Sequence, residues 1–389
     1  MKLNKLDNIV IIIQTFILAM FGCSCTYAKN ATSIKVAIAF SEGNKYDLTS
    51  QRMVEGIQVA KSLFEKQNGK YKVELISYSF MPHNSASVAK TAEEICKAKI
   101  PVVIGAEMSE EAIVLGGILD SCHVILLSPT ATNAKVSENK PYVFTMSMPD
   151  EAVSRQFALF VYKKIKSSKV GVIHDVSLPY PDGLTKSFIN HYSHLSSNEI
   201  FVRKVLRETT DYSLEINAFI SQHVNVVVML TYDIDLKRFS AQAADKGYFP
   251  IYIGSDGWGS NESVIKYINS NPAYKNKFTA FRNICWKADS RANINTLFKF
   301  LFLQKYNRNA SAFNAIGFDS AWIVFNAFQK KDESEKGVSL RDALASTHNL
   351  QLTTSNNFYF KNNIPIREMY IYQISSDSIK YVTTVMWGK

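Results

Sequence analysis

The sequence predicts an α/β fold of doubly wound parallel sheets, on three observations. The stretch Ile100–Thr132 reads as one strand–helix–strand unit. Short β-branched runs alternate with helically spaced apolar residues along the chain. The second half repeats that architecture without repeating the sequence. Such alternation is the signature of a parallel sheet with helices on both faces.

The central unit carries the clearest signals. Ile100–Ile104 is a buried strand ending at Gly105. Ser109 follows as a helix N-cap, with Glu110 and Glu111 in an acidic first turn and apolar residues at 112, 113, 115, 118 and 119. Val124–Leu127 is the second strand, broken by Ser128-Pro129. A strand–helix–strand unit of about thirty residues makes the two strands parallel. Ahead of it, the pattern gives strands at Ile34–Phe40 and Tyr71–Tyr78 and helices over about 51–67 and 85–99. Pro141–Met148 is an extended segment closing that part, and Pro149-Asp150 opens a helix over 151–166. Strands follow at Lys169–His174, Ile200–Leu206, Val224–Leu230 and Ile251–Ile253, with helices between them. Later strands fall near Phe278–Ile284 and Tyr370–Ile374, with helices near 294–306, 314–328 and 340–346. Lys330–Gly337 is a polar surface loop.

The chain begins with a targeting segment, residues 1–28: Lys2 and Lys5 precede a mostly apolar run over 9–21. Two readings of its end compete. Gly22-Cys23 resembles a lipobox whose Cys23 is lipidated; the alternative is ordinary cleavage after Ala28. The rest is long enough for two cores. Its 47% hydrophobic and 20% charged content is ordinary for a globular protein. Formal charge is +10, or +9 without Lys2, Lys5 and Asp7, but the basic residues are scattered. A scattered basic surface argues against a nucleic-acid stripe. No later stretch approaches a membrane span. Cys96, Cys122 and Cys285 fit no zinc spacing. Cys96 and Cys122 each end a helix before a neighbouring strand, so they form either a disulfide or two buried thiols.

Ligands of open parallel sheets bind outside the carboxyl ends of the strands. Ser109 and the hydroxyls of Thr130 and Thr132 converge there, beside a helix N-terminus that favours an anion. Asp256, in the loop GSDGWG at the end of another strand, is a carboxylate suited to an ammonium group. Tyr180 and Trp258 lie on glycine-bearing loops and read as cleft walls. Catalytic machinery is not apparent. No Gly-x-Ser-x-Gly elbow occurs, and His174-Asp175, His191 and His194 lack partners for a nucleophile or a metal. No cofactor is expected.

Five phrases in order resemble the type I periplasmic solute-binding proteins, in particular the branched-chain amino-acid-binding family of ABC transporters. They are VVIGAEMS…LLSPTAT, YPDGL at 180–184, GSDGWG at 254–259, AIGFDSAW at 315–322 and FYFKNN at 358–363. The resemblance implies two lobes joined by three crossovers, near 148, 284 and 353, with ligand in the cleft between them. It implies a first lobe of 33–148 and 285–352 and a second of 149–284 and 353–389. It implies that Ser109 and Thr132 hold a ligand α-carboxylate, that Thr130 offers a carbonyl to the ammonium and that Asp256 pairs with it. Tyr180 and Tyr232 would line the second lobe. A first-loop tyrosine of the family falls on Thr49, or on Tyr46 with a gap. Two departures bear on specificity: Glu107, Glu110 and Glu111 crowd the loop of Ser109, and Thr145-Met146 stands where the family usually has an arginine. A Glu107 facing the cleft would favour a polar or cationic ligand side chain.

The expected function is an exported, cell-envelope protein that captures an amino acid or similar small polar molecule for an ABC permease, with a membrane link only through Cys23. The alternative is a ligand sensor or regulatory lipoprotein of the same fold acting on a partner protein. An enzyme is disfavoured.

Overall fold

The computed structural model describes residues 31–42, 48–166, 169–334, 337–376 and 378–386. The leader with Cys23 and Cys25, and Tyr46, lie outside the described residues.

The first sheet holds β1 (Thr32–Ser41), β2 (Tyr71–Phe80), β3 (Val102–Gly105), β4 (Ile125–Ser128) and β5 (Val143–Thr145), in the order β2-β1-β3-β4-β5. All its pairings are parallel. Three helices connect these strands: α1 (Thr49–Gln67), α2 (Ser85–Lys97) and α3 (Ser109–Ser121). Each central strand is buried on both faces, which is why β3 and β4 read as continuous apolar runs. On one face Phe64 of α1 meets Tyr71, Trp322 and Phe325. Burying a side chain such as Phe64 contributes about 1.5–3 kcal/mol. On the other face Val88, Ile95 and Leu115 of α2 and α3 cover the sheet. There Cys96 and Cys122 form a disulfide, with Cα atoms 6.1 Å apart.

The second sheet contains β6 (Lys169–Asp175), β7 (Glu199–Val205), β8 (Val226–Met229), β9 (Ile251–Gly254), β10 (Thr279–Ile284), β13 (Glu368–Ser375) and β14 (Ile379–Met386). Its order is β14-β13-β10-β9-β8-β6-β7. The strands are parallel from β7 to β10, whereas β13 and β14 add an antiparallel edge. Helices α4 (Asp150–Phe160) and α5 (Pro179–Leu195) cover one face. Helices α6 (Ser213–Ser221), α7 (Asp233–Asp245) and α8 (Asn261–Ser270) cover the other. The sequence reading omitted β14, whose residues are mostly exposed and give no buried stripe.

Beyond β10 the chain returns to the first sheet. Helices α9 (Asn293–Tyr306), α10 (Ala312–Glu333) and α11 (Leu340–Ala345) join its core. Helix α10 extends to Glu333, into the segment expected to be a polar loop from Lys330. A small hairpin, β11 (Tyr359–Lys361) with β12 (Ile364–Ile366), packs Phe358 and Phe360 near Phe144 of β5. The chain therefore passes between the sheets three times: after β5, after β10 and ahead of β13. No helix among the described residues is long and apolar enough to cross a membrane.

Candidate ligand-binding cleft

A cleft of about 560 Å³ opens between the carboxyl ends of the two sheets. Of the expected site residues, Ser109, Thr130, Tyr180, Tyr232 and Asp256 line it. Thr132 does not; it is buried behind the wall. Its hydroxyl and Asp150 Oδ1 are both buried without a hydrogen-bond partner. The Thr132 carbonyl accepts the amide of Asp150 at 3.0 Å.

The first-sheet wall is built from backbone and hydroxyls. Met108, not Ser109, is the N-cap of α3, and Ser109 is its first helical residue. This corrects the sequence expectation. The N-cap Met108 makes no side-chain cap bond, and the first N–H groups of a helix have no partner within it. The Ser109 hydroxyl oxygen accepts the amides of Thr132 and Asn133, each at 3.3 Å. Its proton is then free to point elsewhere. Thr130 donates its hydroxyl to the Glu107 carbonyl at 2.7 Å.

Glu107 lines the cleft, but its carboxyl is already engaged. It accepts the Ser41 hydroxyl at 2.5 Å and also the Ser50 hydroxyl. Burial pushes its pKa up, against the pull of the two serines. That favours the uncharged form and weakens the repulsion an anionic Glu107 would exert. Glu110 and Glu111 turn toward His83 instead of the ligand space: Glu110 meets the His83 ring at 3.2 Å, and Glu111 accepts its amide at 3.4 Å.

The second-sheet wall carries Asp233, Asp235 and Asp256, and Asp256 is the carboxylate at the end of β9. Tyr180 donates its hydroxyl to Asp256 Oδ1 at 2.9 Å. The Tyr180 hydroxyl oxygen lies 2.7 Å from the Ser255 hydroxyl and accepts the Gly257 amide at 3.2 Å. Gly257 permits that approach, because a Cβ there would stand 2.9 Å from the Tyr180 ring and 2.7 Å from the Thr231 carbonyl. The Tyr180 and Tyr232 rings lie 5.3 Å apart and form an aromatic face. Burial pushes the Asp256 carboxyl above the usual range, while the Tyr180 hydrogen bond and the Arg282 charge hold it down.

Two consecutive β10 residues, absent from the sequence reading, fix the Asp256 backbone. Asn283 accepts its amide at 3.1 Å. Fully buried Arg282 donates to the carbonyls of Asp256 at 3.3 Å and Gly259 at 2.6 Å. Burial lowers the Arg282 pKa to about 10, so it stays cationic at neutral pH. The one available signal was a polar pair inside an otherwise apolar strand, TAFRNI.

Trp258, expected as a cleft wall, is instead a core residue of the second sheet. Its indole fills the space above Gly254, where a Cβ would come within 2.1 Å of the ring. The histidines have ordinary roles: His174 pairs with Asp182 at 2.9 Å, and His191 with Glu151 at 2.7 Å. Burial pushes the free Cys285 thiol up to about 11, which leaves it protonated and unreactive.

Two sheets with a ligand-sized cleft at their carboxyl ends, and three chain passages between them, define a bilobal binding-protein fold. The chain belongs to the periplasmic binding protein family, whose sequence model matches residues 33–378. This is a family of binding proteins, not enzymes. Among solved structures, a leucine-binding protein, LivK, from Thermotoga maritima is similar at a TM-score of 0.79 and 19% identity, covering 90% of this chain and 98% of that one. LivJ from Streptococcus pneumoniae, in complex with isoleucine, gives a TM-score of 0.79 and 18% identity over 91% of this chain and 100% of that one. A solute-binding protein from R. palustris, in complex with benzoate, gives 0.76 and 13% over 91% and 96%. At these identities the likeness is one of fold. No curated protein matches the sequence.

Proposed function

We propose that the protein captures an α-amino acid in the cleft between two lobes and presents it to an ABC importer. The lobes would comprise 33–148 with 285–352, and 149–284 with 353–389. The observation that carries the reading is a pairing of opposites across one cleft. The uncapped start of α3 with the Ser109 hydroxyl lies on one wall, and the carboxylate of Asp256 on the other. A zwitterion needs an anion site and a cation site a few ångströms apart, and this cleft offers both. Ser109 would meet the ligand carboxylate, with Thr132 acting through its amide bond to Ser109, and the Thr130 carbonyl would face the ammonium. Asp256 would take the ammonium, and Tyr180 and Tyr232 would flank the ligand. Because the two charged ends fall to different lobes, the ligand would favour the closed arrangement.

A second reading is supported by the ligands of the similar structures. Isoleucine, leucine, benzoate and p-hydroxybenzoate are bound by such proteins. All four carry a carboxylate, but the aromatic acids lack an ammonium. The Tyr180–Tyr232 face would suit an aromatic acid. Export to the cell envelope follows the family, and lipid attachment at Cys23 is the form of anchoring the leader suggests.

Calorimetry with the amino acids, benzoate and p-hydroxybenzoate tests both readings. Binding of amino acids that is lost in Asp256→Ala supports the first. Binding of the aromatic acids alone, unaffected by Asp256→Ala, replaces it with the second.

A further inference from the structure

Arg367 is buried at 1% exposure, immediately ahead of β13. It plays no part in the cleft and does not line it. Its guanidinium donates to three backbone carbonyls: Met146 at 2.8 Å, Cys285 at 3.1 Å and Thr354 at 3.0 Å. These carbonyls belong to three different stretches of chain. Met146 follows β5, Cys285 follows β10, and Thr354 lies between α11 and the hairpin. Two of the three sit where the chain leaves one sheet for the other, and the third lies on the return toward β13.

We infer that Arg367 is the pivot of lobe closure, a positioning residue that makes the connecting segments turn as one. This goes beyond the ligand reading and does not depend on it. A planar guanidinium holds its donors in a fixed fork, so here its two Nη groups reach three carbonyls from one buried point with a defined geometry. A hinge consists of a few residues that absorb backbone rotation. Three connections free to rotate separately would allow the lobes to twist and shear as well as close. Fastening their carbonyls to one rigid group leaves a common axis through that group.

The surroundings are built to hold this charge in place. Asp319 of α10 accepts the amides of Thr353 and Thr354, each at 2.8 Å, and the Thr354 hydroxyl at 2.5 Å. Thr354 is thereby held between a buried carboxylate on its amide and Arg367 on its carbonyl. Burial pushes the Asp319 carboxyl above its usual range, and the Thr354 and Thr353 bonds, then the Arg367 charge, hold it down. Glu368, the next residue, accepts the Ser355 hydroxyl at 2.5 Å. Both sides of the pivot are thus anchored, one on α10 and one on β13.

Single-molecule energy transfer on the ligand-free full chain tests the inference. Dyes are attached through non-natural residues at exposed Lys90 on α2 and Lys246 just after α7. Wild type is expected to show discrete inter-lobe distances. Arg367→Met, which keeps bulk but removes every donor, should lose those discrete populations to one broad distribution. Arg367→Lys, which keeps the charge, should recover much of the thermal stability but not the discrete distances. Phe64→Leu, a core change in one sheet, should lower thermal stability and leave the distances discrete. If Arg367→Met does not fold, Arg367→Lys alone decides. Discrete wild-type distances in whichever Arg367 variant folds overturn the inference, because Arg367 would then be a structural residue only.

Discussion

The two walls of the cleft are made by opposite means. The first-sheet wall spends little side-chain chemistry: it presents the uncapped start of α3, a serine hydroxyl and a threonine whose hydroxyl is bound to backbone. The second-sheet wall presents the carboxylates of Asp233, Asp235 and Asp256, and five neighbours fix Asp256. Tyr180 bonds its oxygen, Asn283 and Arg282 clasp its backbone, and Ser255 and Gly257 hold Tyr180 in turn. A wall of backbone donors is robust, because no single substitution removes it. A contact that rests on one fixed carboxylate is specific but fragile. The proposed site should therefore fail unequally when its two sides are altered.

The largest effect is expected on the fragile side. Asp256→Ala would leave a ligand ammonium desolvated and unpaired, costing roughly 2–5 kcal/mol of binding. Calorimetry with the best-bound amino acid reads this directly. The fold should survive, since Asp256 only opens the short 3-10 helix Asp256–Trp258 and its partners keep other bonds. An affinity within about twofold of wild type would place the ammonium elsewhere.

The junction between the walls comes next. Asp150 opens α4, accepts the Asn133 amide group at 3.3 Å and keeps one oxygen unpartnered. Burial, with the nearby Asp256 charge adding to it, pushes its pKa up to about 7 from 3.8. The folded state then binds more protons than the unfolded state between about pH 4 and pH 7. Stability should fall as pH rises through that window, by about 4 kcal/mol at most. Asp150→Asn, which keeps an acceptor for Asn133, should remove that slope and raise stability at pH 8. Denaturant melts of both proteins at pH 5 and pH 8 measure it. An unchanged slope would mean that another group titrates.

On the robust side, Ser109→Ala should cost less, on the order of 1.5–3 kcal/mol for a hydrogen bond to a charged group. Part of that loss would come from the amides of Thr132 and Asn133, which lose their acceptor. Calorimetry on Ser109→Ala beside Asp256→Ala ranks the walls. A serine variant weaker than the aspartate variant would reverse the comparison.

The same contrast shows what the sequence could reveal. The strand–helix–strand unit was legible because its signals are local: β-branched runs, a helix start and Ser-Pro all fall within Ile100–Thr132. Ser109 and Asp256 were visible for the same reason, as polar residues on loops at strand ends. Thr132 follows a strand end and so reads as a cleft residue, but its carbonyl is tied to the distant Asp150 amide and its side chain lies behind the wall. Trp258 was misplaced because a glycine-rich loop suggests exposure; the glycine at 254 instead makes room for the indole. Arg282, Asn283 and Arg367 escaped notice because their partners are distant in sequence: 26 residues for Arg282 and 221 for Arg367 with Met146. No periodicity or local motif reports a backbone carbonyl that far away. A buried arginine in a strand was the only trace.

The smallest effect should come from the hydroxyl that joins Tyr180 to Asp256. Tyr180→Phe keeps the aromatic face against Tyr232 but removes the donor at 2.9 Å. The lost bond is one hydroxyl donor that does not itself touch the ligand, so at pH 8 affinity should fall only by about 0.5–1.5 kcal/mol. Acidification separates the two proteins. Asp256 already titrates above the usual carboxylate range because it is buried, and the Tyr180 bond is the first influence that holds it down. Losing a bond to the ionised form raises the pKa further. Only the ionised form can pair with an ammonium, so binding is present above the Asp256 pKa and lost as pH falls through it. The midpoint of that loss should move up in Tyr180→Phe. Amino-acid affinity measured from pH 8 down to pH 4 gives both midpoints. Identical midpoints would show that Tyr180 shapes the wall without tuning its charge.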